Sequence, residues 1–178
     1  SGSSITVPTS GLTNVTNCVL LLAQSYRLVD NGANSLTIEM SGAVPSISAF
    51  GPFLTDAAYD PAVNGASAYF DGLGILRSAS SNQMVFGTGD FTIEFWAYHT
   101  ANAHANMLLP TSRDSINSVA NGDFFIEGNT SQNKVRFVNS GGTATTLTDS
   151  SGPLPVKQWF HTACVKEGSA LTYYRNGV

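Results

Sequence analysis

The chain has 178 residues, enough for one domain with a substantial core. Charged residues make up only 11% and hydrophobic residues 42%, so neutral Ser, Thr, Asn and Gly must supply polar surface, a mixture that suits an all-β extracellular or virion domain. The net charge of −4 is scattered without a basic run, which excludes an electrostatic basis for nucleic-acid binding.

The first fourteen residues, SGSSITVPTSGLTN, have the composition of a linker or N-terminal arm. Residues 15–178 are predicted to form one domain. Their longest apolar run, CVLLLA at 18–23, is too short to span a bilayer, so no membrane span is predicted.

Short segments rich in β-branched and aromatic residues follow, separated by turn residues at spacings that predict a β-sandwich. The predicted strands are NCVLLLAQS (17–25), SLTIEMSG (35–42), SAYFDG (67–72), GILRSA (74–79), DFTIEFWAYH (90–99), ANMLLPTS (105–112), DFFIEGN (123–129), KVRFVNSG (134–141), TATTLTD (143–149), QWFHTACVKEG (158–168) and LTYYRNGV (171–178). One short helical turn is predicted within DAAYDPAV at 56–63.

The last predicted strand ends in an Asn-Gly turn at 176–177, one residue before Val178. Such a turn reverses the chain into an antiparallel partner, so we expect a domain that lacks its C-terminal strands. The outer edge of 171–175 should then be open to association with another strand. The two cysteines, Cys18 and Cys164, are predicted to be separate packed thiols, although a disulfide between them stays an alternative.

Four motifs carry a family resemblance: YFDG at 69–72, FGTGDFTIEFW at 86–96, QWFHTACVK at 158–166 and LTYYRNGV at 171–178. Together they resemble the laminin-G-like branch of the concanavalin A-like lectin/glucanase superfamily, most closely its versions in bacteriophage tail fibres and appendages. The resemblance implies a jelly roll of two antiparallel sheets and does not name a ligand.

Side chains alternate along the strand 90–99, so Phe91, Ile93 and Phe95 are predicted to lie buried between the sheets, with Ala163 and Val165 of 158–168 also largely buried.

An acid, Glu94, stands in the middle of the hydrophobic strand 90–99. Glucanases of this fold place two acids two positions apart on one strand, but here Thr92 and Trp96 occupy those positions. Asp90 should point to the same face of the strand as Glu94, but it lies about 13 Å away from it along the strand. We therefore predict a structural acid, hydrogen-bonded or paired with Arg136 or Lys166, and no enzymatic activity.

Five aspartates in turn-like sequence are candidate calcium ligands, since the resemblance implies a domain type that often holds one ion. They are Asp71, Asp90, Asp114, Asp123 and Asp149. None belongs to a DxDxDG-type loop, so each is predicted to bond its own backbone, and no cofactor is expected.

The best candidate for a ligand-binding segment is WAYHTANAHANM at 96–107. Lectin sites combine aromatic rings with Asn and His hydrogen-bonding groups. The candidate residues are Tyr98, His99, Asn102, His104 and Asn106. His161, inside a strand motif, is predicted to be a packed structural histidine.

The function predicted from these features is that of a non-enzymatic bacteriophage virion module for structure and host attachment, with recognition of a cell-surface glycan as one route. Its partners would be other virion proteins or copies of itself. The alternative is a carbohydrate-binding or adhesion module of a secreted bacterial surface protein or enzyme, located outside the cell.

Overall fold

The computed structural model describes residues 4–54, 57–71, 73–78, 89–101, 105–109, 124–128, 133–138, 144–149 and 151–178. The described elements are almost all strands. In chain order they are β1 (Ile38–Gly42), β2 (Ser46–Ser48), α1 (Pro61–Asn64), β3 (Ser67–Tyr69), β4 (Gly74–Ser78), β5 (Phe91–Tyr98), β6 (Ala105–Leu109), β7 (Phe124–Gly128), β8 (Asn133–Val138), β9 (Ala144–Thr148), β10 (Trp159–Glu167) and β11 (Ala170–Arg175).

The chain divides into two compact units, one formed by Ser1–Val7 with Val85–Val178 and the other by Pro8–Met84. The first unit contains a three-stranded sheet in the order β11-β10-β5 and a four-stranded sheet in the order β6-β7-β8-β9. Every strand pair in both sheets is antiparallel. The predicted all-β antiparallel architecture is therefore confirmed.

The core of this unit forms around Cys164, whose side chain is fully buried. Phe91, Ile93 and Phe95 pack against it from β5, because alternation along the strand turns all three toward one face. Leu147 of β9 also packs against Cys164, so the second sheet covers that face. We expected these three β5 side chains in the core, and the structure places them there partly buried.

Two further residues expected in the same core, Ala163 and Val165, lie on the other face of β10. The β5–β10 register sets Ala163 opposite Glu94 and Val165 opposite Thr92, whereas Cys164 lies opposite Ile93. Ala163 is nevertheless completely buried, because β10 is covered on both faces along most of its length.

The predicted Asn-Gly turn is confirmed. Asn176 and Gly177 have φ of 52° and 83°, the left-handed values that a two-residue turn requires. Arg175 and Val178 exchange backbone hydrogen bonds of 3.0 and 3.2 Å across it. The N–H of Ile5 donates to the Gly177 carbonyl at 3.0 Å, so the N-terminal arm contacts this turn. The expectation of an open edge on β11 stays a prediction, as does the boundary between arm and domain at residues 14 and 15.

The second unit contains two small antiparallel pairs, β1–β4 and β2–β3, and the single helical turn α1. The helical turn was predicted, whereas β2 was not. The predicted strand at 17–25 is wrong. This segment is irregular, with positive φ at Asn17 and Ala23, and it is fixed by a side chain rather than by a partner strand.

That side chain is Asp30. Its carboxylate accepts hydrogen bonds from the N–H groups of Leu21, Gly32 and Leu36 at 2.9, 2.7 and 2.7 Å. The N–H of Asn31 donates to the Leu21 carbonyl at 2.8 Å. One carboxylate therefore pairs the backbone N–H groups of this loop, as a ladder of backbone hydrogen bonds does in a strand.

No helix in the described part of the chain is long and apolar enough to cross a membrane.

Candidate functional site

The predicted ligand segment is described at both ends. Tyr98 is the last residue of β5, and His99 follows it in a bridge to Val156. Asn106 lies within β6, opposite Glu127, in the four-stranded sheet. Asn102 and His104 lie outside the described residues. Tyr98 and His99 thus follow one another at the end of β5, and the grouping of the five candidates into one site stays a prediction.

Two residues that the sequence analysis assigned no binding role, Trp159 and Phe160, complete this end of the sheet. The ring centroids of Tyr98 and Trp159 lie 5.4 Å apart, at a tilt of 56°. His99 stacks on Phe160 with centroids 5.5 Å apart and an angle of 13°. Because neighbouring side chains on a strand point to opposite faces, one pair lies on each face of the sheet. We call these four residues the aromatic corner.

The backbone holds the aromatic corner in place. The N–H of Lys157 donates to the His99 carbonyl at 2.7 Å, which ties the end of β5 to the residues before β10. Burial lowers the pKa of His99 below its ordinary value of 6.5. Its imidazole is therefore neutral at pH 7 and can both donate and accept a hydrogen bond.

The chemistry available here is that of a binding surface. Tyr98, His99 and Trp159 are half-buried, so each ring keeps part of its surface in contact with solvent. Aromatic rings offer an apolar face for the C–H groups of a ligand, while phenol and imidazole groups supply hydrogen bonds. Tyr98 and His99, the candidates whose side chains are described, therefore each present part of a ring to solvent, on opposite faces of the sheet.

Glu94 has a partner that the sequence analysis did not assign to it. Its Oε2 lies 3.2 Å from Nε2 of His161. The His161 ring is fully buried and packs against Trp96 with centroids 5.3 Å apart, whereas the Glu94 side chain is 36% exposed. The expectation that Glu94 is hydrogen-bonded on the sheet face and that His161 is packed is confirmed.

Lys166, proposed as a partner of Glu94, was the wrong choice. The register sets it opposite Phe91, on the other face of the sheet. Its ammonium group donates instead to the carbonyls of Gly89 and Gly168, at 2.9 Å each. The side chain of Arg136, the other proposed partner, lies outside the description, and Glu94 is engaged by His161.

The described aspartates do not form a calcium site. Asp71 accepts the N–H of Leu73 at 2.9 Å, as predicted for a turn residue. Asp90 accepts the N–H of Gly168 at 2.7 Å, across the sheet rather than within its own turn. Among the described residues no group of three or more His, Cys, Asp or Glu side chains could hold a metal ion. The described residues therefore offer no group that fits the calcium that the resemblance suggested, and Asp114 and Asp123 lie outside the description.

Asp149 is engaged in a different way. Its Oδ1 accepts the N–H of Ser151 at 2.8 Å, and its Oδ2 forms an ion pair of 3.1 Å with Nε of Arg175. Arg175 also donates from its guanidinium to the Pro153 carbonyl at 2.8 Å. The pair joins the end of β9 and the following turn to β11.

Residues 76–178, more than half of the chain, match a family model described as Laminin_G_3, concanavalin A-like lectin/glucanases superfamily. The chain belongs to this family. No curated protein and no solved structure matches it. Membership in a superfamily of lectins and glucanases suggests carbohydrate binding or adhesion as the class of function.

Proposed function

We propose that this protein is a non-enzymatic glycan-binding module that attaches a bacteriophage virion to its host through the aromatic corner. The observation that carries the glycan-binding part is the pairing of Tyr98 with Trp159 and of His99 with Phe160 at one end of a sheet in a lectin-type domain. Partly exposed rings next to hydrogen-bonding groups are what sugar recognition requires.

The absence of catalysis is proposed from the surroundings of Glu94. Its neighbours across the sheet are Ala163, Val165 and His161, which carry no carboxyl group. The carboxylate of Asp90, the other acid of the same parity, is bonded to the Gly168 N–H. Glycoside hydrolysis needs two carboxyl groups that act on one bond, and the other acid on this face of the sheet, Glu167, lies about 13 Å from Glu94 along β10.

Glycan arrays with the wild type and two variants test binding. Tyr98→Ala should weaken binding about tenfold, since one ring contact with its hydrogen bond is worth about 1.4 kcal/mol. Tyr69→Ala is the matched control, because Tyr69 is an exposed tyrosine of β3, outside the aromatic corner, and it should bind like the wild type. Equal losses in both variants, or no binding by the wild type to any glycan, would contradict the proposed site.

A reducing-sugar assay tests the absence of catalysis. Neither the wild type nor Glu94→Gln should release sugar from a panel of polysaccharides. Release by the wild type but not by the variant would restore a glucanase reading of Glu94.

The assignment to a virion rests on two features of the sequence. They are the resemblance to phage tail proteins and the low share of charged residues, 11%. Mass spectrometry of purified phage particles tests it directly. Peptides of this chain should be found in the particles. Their presence instead on the surface of uninfected bacteria would favour the alternative, an adhesion or carbohydrate-binding module of a bacterial surface protein.

A further inference from the structure

We propose that Glu94 extends the glycan site along β5 and makes it selective for amine-bearing sugars over acidic ones. This inference rests on the proposed glycan-binding function. Glu94, Trp96 and Tyr98 alternate with core residues, so all three point to the face opposite Cys164. Glu94 and Tyr98 lie about 13 Å apart along the strand, a distance that one short oligosaccharide can cover.

His161 fixes the position of the Glu94 carboxylate. The imidazole is buried, and its Nδ1 makes no hydrogen bond with the described part of the chain. A carboxylate only accepts hydrogen bonds, so the proton is assigned to Nε2, which donates to Oε2 of Glu94. The main chain of His161 is itself held by Asn176, through bonds of 2.9 and 3.0 Å.

This arrangement leaves one carboxylate oxygen for a ligand. Oε2 is used by His161, while Oε1 has no hydrogen bond with the described residues and the side chain is 36% exposed. An oriented acceptor loses little conformational entropy when a ligand binds, which favours affinity over that of a freely rotating carboxylate.

In the three-stranded sheet, the acidic side chains lie on one face and the basic side chains lie on the other. In β5, β10 and β11 the two acids, Glu94 and Glu167, share the face of Trp96 and Tyr98, and the two bases, Lys166 and Arg175, lie on the opposite face. Arg175 is paired with Asp149, and the ammonium of Lys166 is bound by two carbonyls. The face of Glu94 therefore attracts ammonium groups and repels carboxylate and sulfate groups.

The test compares three hexasaccharides with the wild-type protein: chitosan, with free amines; chitin, with the same backbone acetylated; and oligogalacturonate, with carboxylates. At a pH at which the amines are charged, chitosan should bind about tenfold more tightly than oligogalacturonate. Added salt should weaken the binding of chitosan and leave that of chitin nearly unchanged. These measurements use only the wild-type protein, so they do not depend on whether a variant folds.

Glu94→Gln should reduce the affinity for chitosan about three- to tenfold, raise that for oligogalacturonate and leave that for chitin unchanged. Glu167→Gln is the matched control, because it removes the same charge from the same face about 13 Å further along β10. Equal effects of both variants would show a general charge effect and overturn the proposal. Binding of chitin without discrimination between amine and acid would overturn it and leave the glycan-binding function standing, whereas binding of no sugar would overturn both.

Discussion

Asp149 and Arg175 form a buried ion pair, with Oδ2 and Nε 3.1 Å apart and side chains only 4% and 7% exposed. Removing one partner of a buried pair leaves the other charge without compensation, which costs more than the pair itself contributes. We predict that Asp149→Asn lowers the free energy of unfolding by about 3 kcal/mol in urea titration.

The control for this variant is Glu167→Gln, since Glu167 is an exposed acid and its neutralisation should change stability by less than about 0.5 kcal/mol. Asp149→Leu combined with Arg175→Met should be less destabilised than Asp149→Asn, because it leaves no buried charge. If Asp149→Asn were as stable as the wild type, the ion pair would not hold the end of β9 against β11.

Phe95 tests the orientation of β5. It packs against Cys164 and is partly buried, so we predict that Phe95→Ala lowers the free energy of unfolding by about 3 kcal/mol, the low end of the range for aromatic side chains removed from a core. Thr92→Ala, an exposed position on the other face, should change it by less than about 0.5 kcal/mol. Chemical denaturation of both variants decides the point, and the reverse order of losses would mean that the faces are exchanged.

The thiol of Cys164 should be inert in the native protein. Burial raises its pKa from 9.0 to about 12, so the reactive thiolate is absent at neutral pH. Neither cysteine is in a disulfide, and Cys18 is only half-buried. We predict that a thiol reagent modifies Cys18 in the native protein and both cysteines after unfolding. Rapid modification of Cys164 in a native Cys18→Ala variant would contradict this.

The raised pKa of Cys164 also predicts a pH dependence of stability. Between about pH 9 and pH 12 the unfolded chain releases the thiol proton while the native protein keeps it, so stability falls as pH rises through this range. Urea titrations across the range should show a shallower decline for Cys164→Ala. Parallel declines in the two proteins would exclude a contribution from this thiol.

Local patterns in the sequence specified most of the strands, the Asn-Gly turn and the core face of β5, because alternation and turn chemistry act between near neighbours. The Glu94–His161 contact joins residues 67 positions apart and depends on the β5–β10 register, which no local pattern fixes. The apolar run around Leu21 resembles a strand, yet Asp30 organises it as a loop. Hydrophobic periodicity does not indicate where one carboxylate accepts hydrogen bonds from three backbone N–H groups.

The stability contributed by His99, a residue of the aromatic corner, should depend on pH. Its pKa is lowered by burial, so as pH falls below 6.5 the unfolded chain takes up the proton before the native protein does. The stability that this histidine contributes is therefore complete above pH 6.5 and is lost as pH falls toward the lowered native pKa. Protonation would also place a charge on a ring that stacks on buried Phe160. Thermal melting from neutral to acidic pH should show a smaller decline for His99→Gln than for the wild type, with the other two histidines common to both proteins. Equal declines, or an NMR titration in which the His99 ring takes up its proton at or above pH 6.5, would show that this ring is not held in its stacked, half-buried position.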